Sequence, residues 1–235
     1  MKSAADAILR PEQAIYLDGL HAKSTHALAT LAGVQPVSGR DPLLAKMEAR
    51  AAEQGYPISD PEVACLLAIV ARLAQPKVVV ELGTNIGYGA IVLARAGGPQ
   101  ARVVTIEMSG DLVAQARGYI AEAGLSDRIE VRQGAAIAEL EKIREPIDLL
   151  YIDCVKEEYP RYLEIAAPKL APRGIILADN ALWRGEVARS APSRSEAERA
   201  AALRAFNLAL VSHPQLCGIV LPLGDGVALA TRIEL

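Results

Sequence analysis

Val78-Val79-Val80-Glu81-Leu82-Gly83-Thr84-Asn85-Ile86-Gly87-Tyr88-Gly89 is the stretch that decides the fold. Three consecutive valines favour a strand. The glycines that follow let the backbone turn tightly and enter an apolar helical stretch running to Ala96. Strand, glycine turn and helix in that order predict the first unit of an α/β sheet.

The same rhythm continues downstream. Residues 102–107 read as a second strand and 111–123 as a helix, 128–132 as a third strand and 135–143 as a helix. Residues 147–152 form a buried-looking strand, 158–170 a helix and 175–178 a further strand. This alternation implies right-handed βαβ units and a parallel sheet with helices on both faces. The end departs from it. Residues 217–222 and 227–233 flank Leu223-Gly224-Asp225-Gly226, and Asp-Gly between apolar runs signals a hairpin, so an antiparallel pair closes the sheet. Upstream of Val78 the chain reads as helical, with helices at 21–31, 41–54 and 60–74, a Gly/Pro-containing turn at 33–42, and Ser59 as cap before Pro61. The segment 190–199 is the most loop-like inside the domain. The expected architecture is α/β: a Rossmann-like, doubly wound, mainly parallel seven-stranded sheet with a C-terminal antiparallel hairpin and extra N-terminal helices. The expected organisation is one domain over 1–235, with 1–56 a helical extension and 57–235 the catalytic core.

Bulk properties narrow the function classes. A chain of 235 residues fits one α/β domain or two small ones, and 51% hydrophobic with 23% charged residues is ordinary for a globular protein. A net charge of −3 and a pI near 5.7 argue against a general nucleic-acid or membrane-surface binder, leaving room for a local basic patch. Arg10, Pro11 and Glu12 stand where a signal peptide needs an apolar core, and the longest apolar run, 63–71, is far short of a bilayer span. Cys65, Cys154 and Cys217 form no CxxC pair, and His21, His26 and His213 form no zinc spacing. These features lead us to expect a cytoplasmic protein with reduced thiols.

The glycine loop carries chemistry as well as geometry. Its spacing is not GxGxxG, and the strand before it ends in Glu81, a carboxylate awkward for a pyrophosphate but suited to a cationic ligand or an amino group. Glu107 ends the next strand, where a carboxylate can accept both hydroxyl hydrogen bonds of a ribose. Loop and acid together point to an adenosine-bearing cofactor lacking a pyrophosphate, which S-adenosylmethionine fits best.

Two more acidic positions close strands: Asp153 after residues 149–152, and the Asp179-Asn180 pair after 175–178. Asp-Asn on its own reads as a turn. Ligands of an open α/β sheet bind outside the carboxyl ends of its strands, so Asp153, Asp179 and Asn180 should converge there. Two carboxylates and an amide oxygen make a hard site suited to Mg²⁺, with Lys156 directed toward it from the adjoining loop. A nicotinamide oxidoreductase would require a true GxGxxG and leaves this set without a task. A non-catalytic cofactor-binding module has no use for Lys156 beside a complete ligand set.

The chain resembles the class I, metal-dependent O-methyltransferases of the catechol and caffeoyl-CoA type. The matching segments are VVVELGTNIGYGAIVLA, TIEM, QGAAIAEL, DLLYIDCVKEEY, GIILADNALWRGEV and LPLGDGVALATRI, in family order over residues 57–233. The DNxLWxG block and the closing GDG hairpin are the specific parts. The resemblance implies Asp153, Asp179 and Asn180 as ligands of Mg²⁺ or another divalent cation such as Mn²⁺ or Ca²⁺. Lys156 matches the general base, with Asp153 sharing the catalytic role. Ser59, Glu81, Gly83, Thr84, Gly87, Gly89, Glu107, Ala136 and Asp153 fall at cofactor positions, and Lys156, Asn180, Trp183 and Arg184 at substrate positions.

Three departures bear on specificity. Gly89 stands where the family commonly has Ser, Val155 where plant members have Asp, and Arg184 where they have an Asn that contacts substrate. The resemblance implies methyl transfer from S-adenosylmethionine to a hydroxyl of a catechol-like or hydroxycinnamoyl small molecule. The rival acceptor is 5-hydroxyuridine in tRNA, with Arg184, Arg189, Arg194 and Arg199 along an RNA-facing edge or, equally, on a solvated face. It further implies a homodimer built partly from the N-terminal helices and no membrane partner.

Overall fold

The valines of residues 78–80 sit at the middle of a sheet. In the computed structural model, which describes residues 41–234, β1 (Val78–Leu82) pairs in parallel with β2 (Arg102–Glu107) on one side and β4 (Ile147–Ile152) on the other. β3 (Ile129–Gln133) extends the sheet beyond β2, and β5 (Leu170–Ala178) lies beside β4, both parallel. β6 (Leu216–Leu221) and β7 (Val227–Arg232) form the antiparallel hairpin, with β7 against β5. The seven-stranded order is β3-β2-β1-β4-β5-β7-β6. It reverses direction between β1 and β4, and that switch point opens a crevice at the carboxyl ends of the strands.

Strand alternation sends side chains to two cores. On one face Val79, Leu149 and Tyr151 pack with buried residues of α1 (Pro42–Gln54), α2 (Pro61–Ala74), α3 (Tyr88–Ala96) and α4 (Gly110–Glu122). On the other, Val80, Leu82, Leu150 and Ile152 pack with α5 (Ala136–Lys142), α6 (Tyr159–Ala166) and α7 (Ala197–Val211). Neighbouring residues of β1 and β4 therefore serve opposite faces, as a period of two requires. α1 is tied to the same core: Leu44, Met47 and Ala51 are buried, and Asp41 both caps it and pairs with Arg95 at 2.5 Å.

Several boundaries differ from the sequence reading. Ser59 does not cap α2; Asp60 is the N-cap residue and makes no side-chain cap bond, while the Ser59 hydroxyl meets Tyr151 at 2.8 Å. The helix expected over 158–170 ends at Ala166, because Pro168 lacks the N–H that would continue it, and a 3₁₀ turn (Ala167–Lys169) follows. β5 starts at Leu170, earlier than expected, and absorbs the extra residues in a register shift opposite Ile147 and Leu149. The loop expected over 190–199 gives way at Ala197 to α7, a helix left unassigned because its apolar residues do not keep to one face: Leu208 and Val211 are exposed while Leu203 and Leu210 are buried. The expected helix at 21–31, the turn leading to Asp41, and His21 and His26 lie outside the described residues. Among the described residues, no helix is long and apolar enough to cross a membrane.

Candidate active site

The glycine loop is shaped by a near collision. A Cβ on Gly83 would lie 2.0 Å from the Asp153 carbonyl oxygen, and Gly83 has φ +99°, so glycine alone lets the end of β1 pass the end of β4. The amides of Gly83 and Thr84 then donate to the Ile106 carbonyl at 3.0 and 3.1 Å, tying the loop to β2. Asn85 N–H donates to Glu107 Oε2 at 3.0 Å and Ser109 N–H to Oε1 at 2.9 Å, so two backbone amides orient the Glu107 carboxylate.

Below this loop is a buried polar chain. Glu81 is 1% exposed; its Oε2 accepts from Thr105 Oγ1 at 2.5 Å, and Thr105 meets Thr84 Oγ1 at 2.6 Å. A Cβ on Gly89 would lie 2.2 Å from Glu81 Oε1, so the carboxyl fills the space a serine there would need. Burial pushes the Glu81 carboxyl up to about 8, against the hydrogen bond from Thr105.

At the ends of β4 and β5 the remaining groups meet. Asp153 N–H donates to Leu82 O at 2.8 Å and Asp179 N–H to Ile152 O at 2.9 Å, which sets the strand ends side by side. Asp153 Oδ1 accepts from Lys156 Nζ at 2.8 Å, and the same nitrogen reaches Tyr159 Oη at 3.0 Å. Tyr159, fully buried, has its hydroxyl 3.1 Å from the Asp179 carbonyl and 3.3 Å from that of Ile152. Its one proton goes to a carbonyl, so toward Lys156 it can only accept. The buried Asp179 takes the Asn180 amide on Oδ1 at 2.7 Å and Tyr151 Oη on Oδ2 at 3.3 Å. Burial, then the charge of Asp153, pushes its carboxyl up to about 7.

The following loop carries strain of the kind that gathers at functional sites. Asn180, Trp183 and Arg184 all have positive φ. The hairpin turn holds this shape: Ala181 N–H donates to Gly226 O at 2.8 Å, Leu182 N–H to Asp225 O at 3.0 Å, and Arg184 N–H to the Asp225 carboxylate. Trp183 Nε1 donates to Glu196 at 2.6 Å, and its ring centroid lies 5.9 Å from Lys156 Nζ and 5.7 Å from the Arg199 guanidinium carbon.

A cleft of about 1040 Å³ runs over these strand ends. Gly83, Glu107 and Ala136 line one part; Asp153, Lys156, Asp179, Asn180, Trp183 and Arg184 line the rest. Ser59, Glu81, Thr84, Gly87 and Gly89 are not on its surface. Asp60 and Asp225 line it and were missed, as were Tyr151 and Tyr159 among the supporting groups. A phenol among the aliphatic residues Leu149, Leu150 and Ile152 of β4 was the available clue for Tyr151.

Among the described residues, no group of three or more His, Cys, Asp and Glu side chains is placed to hold a metal. The set at issue here is two carboxylates and an amide. Its chemistry fits a hard divalent cation: oxygen donors only, with the charge of Asp153 raising the cost of ionising Asp179 by more than Lys156 offsets.

The profile of the O-methyltransferase family matches residues 41–233. The catechol O-methyltransferase of Niastella koreensis is 32% identical over 216 residues, covering 87% of this chain and 94% of the relative. The caffeoyl-CoA O-methyltransferase of Eucalyptus gunnii is 27% identical, covering 72% of this chain and 71% of its own. The crystal structure of the O-methyltransferase from Bacillus cereus in complex with SAH superposes with a TM-score of 0.75 at 27% identity, covering 91% of this chain and 100% of that one.

Proposed function

The chain belongs to the O-methyltransferase family, and from that premise we propose that it moves a methyl group from S-adenosylmethionine to a hydroxyl of a catechol-like or hydroxycinnamoyl small molecule with the help of a divalent cation. Dependence on S-adenosylmethionine and the catechol and caffeoyl-CoA type come with the family and its relatives; the cation and the acceptor are our reading. The observation that carries it is the convergence of Asp153, Asp179, Asn180 and Lys156 on one cleft with Glu107.

S-adenosylmethionine supplies a methyl group already activated by its sulfonium, so the protein's task is to prepare and align the oxygen that attacks it. Glu107, held by two amides, is placed to accept the ribose hydroxyls. Asp153, Asp179 and Asn180 would hold the cation, which when bound supplies Lewis acidity and a template for two adjacent substrate oxygens. Lys156 takes the hydroxyl proton. Asp153 Oδ1 and Tyr159 Oη hold its Nζ at 2.8 and 3.0 Å on the cleft, which fixes the direction from which it meets the acceptor. Trp183 gives the acceptor ring a flat apolar wall at the cleft.

A small acceptor is favoured over tRNA by the state of the arginines. Arg189 pairs with Glu186 at 3.2 Å, and Arg199 with Glu157 and Glu196 at 3.0 and 3.3 Å, so these two present little net field to a phosphate backbone. The test is transfer of labelled methyl, with Mg²⁺, to caffeate-type catechols and to tRNA in parallel, each with and without chelator. Chelator-sensitive labelling of the catechol is expected. Labelling of tRNA alone overturns the acceptor, and chelator-insensitive transfer overturns the metal.

A further inference from the structure

The hydroxyl of Tyr151 has no part in the chemistry above. Tyr151 is 1% exposed in the middle of the sheet, where a phenylalanine would fill the same volume with no O–H to satisfy. Its Oη lies 2.8 Å from Ser59 Oγ and 3.3 Å from Asp179 Oδ2. The three oxygens come from the segment before α2, from β4 and from the end of β5, so the fold alone assembles them.

The direction of these bonds can be worked out. A phenol carries one O–H and keeps it at neutral pH. It has one proton to give, and the O–H is placed to donate to Asp179 Oδ2, leaving the Tyr151 oxygen as acceptor for Ser59. Tyr151 therefore donates to Asp179, and Ser59 donates to Tyr151. Among the described residues, the Asp179 carboxylate receives one other donor, the Asn180 amide on Oδ1. Oδ2 is oriented from the protein side by Tyr151.

We infer that Tyr151 is a positioning residue: backed by Ser59, its hydroxyl fixes Asp179 Oδ2 in place for a divalent cation. This rests on the metal-dependent reading proposed above. Groups that orient a ligand from behind typically change metal affinity 10- to 100-fold when removed, and the 3.3 Å bond places the effect at the lower end.

The experiment is Mn²⁺ titration of the full chain, followed by the electron paramagnetic resonance of free Mn²⁺, for the wild type, Tyr151→Phe and Ser59→Ala. Melting temperature and SAH affinity are measured alongside. The expected result is about tenfold weaker Mn²⁺ binding in Tyr151→Phe and a smaller loss in Ser59→Ala, with SAH affinity in Tyr151→Phe within about twofold of wild type. Mn²⁺ affinity in Tyr151→Phe within about twofold of wild type overturns the inference while leaving the metal site standing. If Tyr151→Phe does not fold, unchanged Mn²⁺ affinity in Ser59→Ala overturns it instead. A wild type that binds no Mn²⁺ overturns the metal reading and this inference with it.

Discussion

Replacing Glu81 by Gln should remove a pH dependence of stability that the wild type carries. Glu81 is fully buried, and its carboxyl is raised from 4.5 to about 8. A raised folded pKa means that the native state binds the proton more tightly than the unfolded chain. Stability from this group is therefore complete at pH below about 4.5 and is lost as pH rises toward about 8. With about 1.4 kcal/mol per pH unit in the window between the two values, the loss is about 2 kcal/mol by pH 6 and about 4 kcal/mol by pH 8. The wild type should thus lose about 2 kcal/mol between pH 6 and pH 8 through Glu81 alone. Asp179, raised to about 7 for similar reasons, adds a loss of the same sign. Both proteins share that contribution, so the difference between their slopes isolates Glu81. The glutamine amide retains an acceptor for Thr105 Oγ1 and nearly the same volume. Urea unfolding of the ligand-free chain at pH 6, 7 and 8, wild type against Glu81→Gln, measures the difference. Equal slopes would mean that Glu81 is ionised inside the fold, and the reasoning from burial would fail.

Lys156→Met should lower turnover by about 10²- to 10⁴-fold, the usual contribution of a positioned base, while SAH affinity by calorimetry stays within about twofold; undiminished turnover removes Lys156 from the mechanism. Gly83→Ala places a Cβ 2.0 Å from the Asp153 carbonyl at φ +99°, so it should abolish SAH binding or folding, and a variant that binds normally would show the loop to be free to move. Tyr159→Phe strips Lys156 Nζ of one acceptor and the Asp179 and Ile152 carbonyls of a donor. It should cost about 1–3 kcal/mol in denaturant unfolding, and a change under about 0.5 kcal/mol would mean that water replaces the hydroxyl.

What was legible in the sequence was whatever depends on near neighbours. Valines 78–80 before glycines announced β1 and its turn, and Asp-Gly at 225–226 announced the closing hairpin. Period-two burial and the turn preferences of glycine are local rules, so they survive translation into the fold. The rule that crevices open at the carboxyl ends of strands brings Asp153, Asp179 and Asn180 to one place, and in the structure all three line one cleft. Ser59 shows the limit. Its position before a proline made it read as a helix cap, yet its hydroxyl meets Tyr151, 92 residues away. Glu81 reads identically whether it faces a ligand or lies under Gly89 with Thr105 as its donor. α7 escaped notice because its apolar residues do not form one stripe. The sequence by itself determined the strands, the turns and which oxygens end them. Only the tertiary structure decided which of those oxygens stay on the cleft and which are buried and must find a donor, because burial and long-range hydrogen bonds depend on how the elements pack and not on the residues beside them.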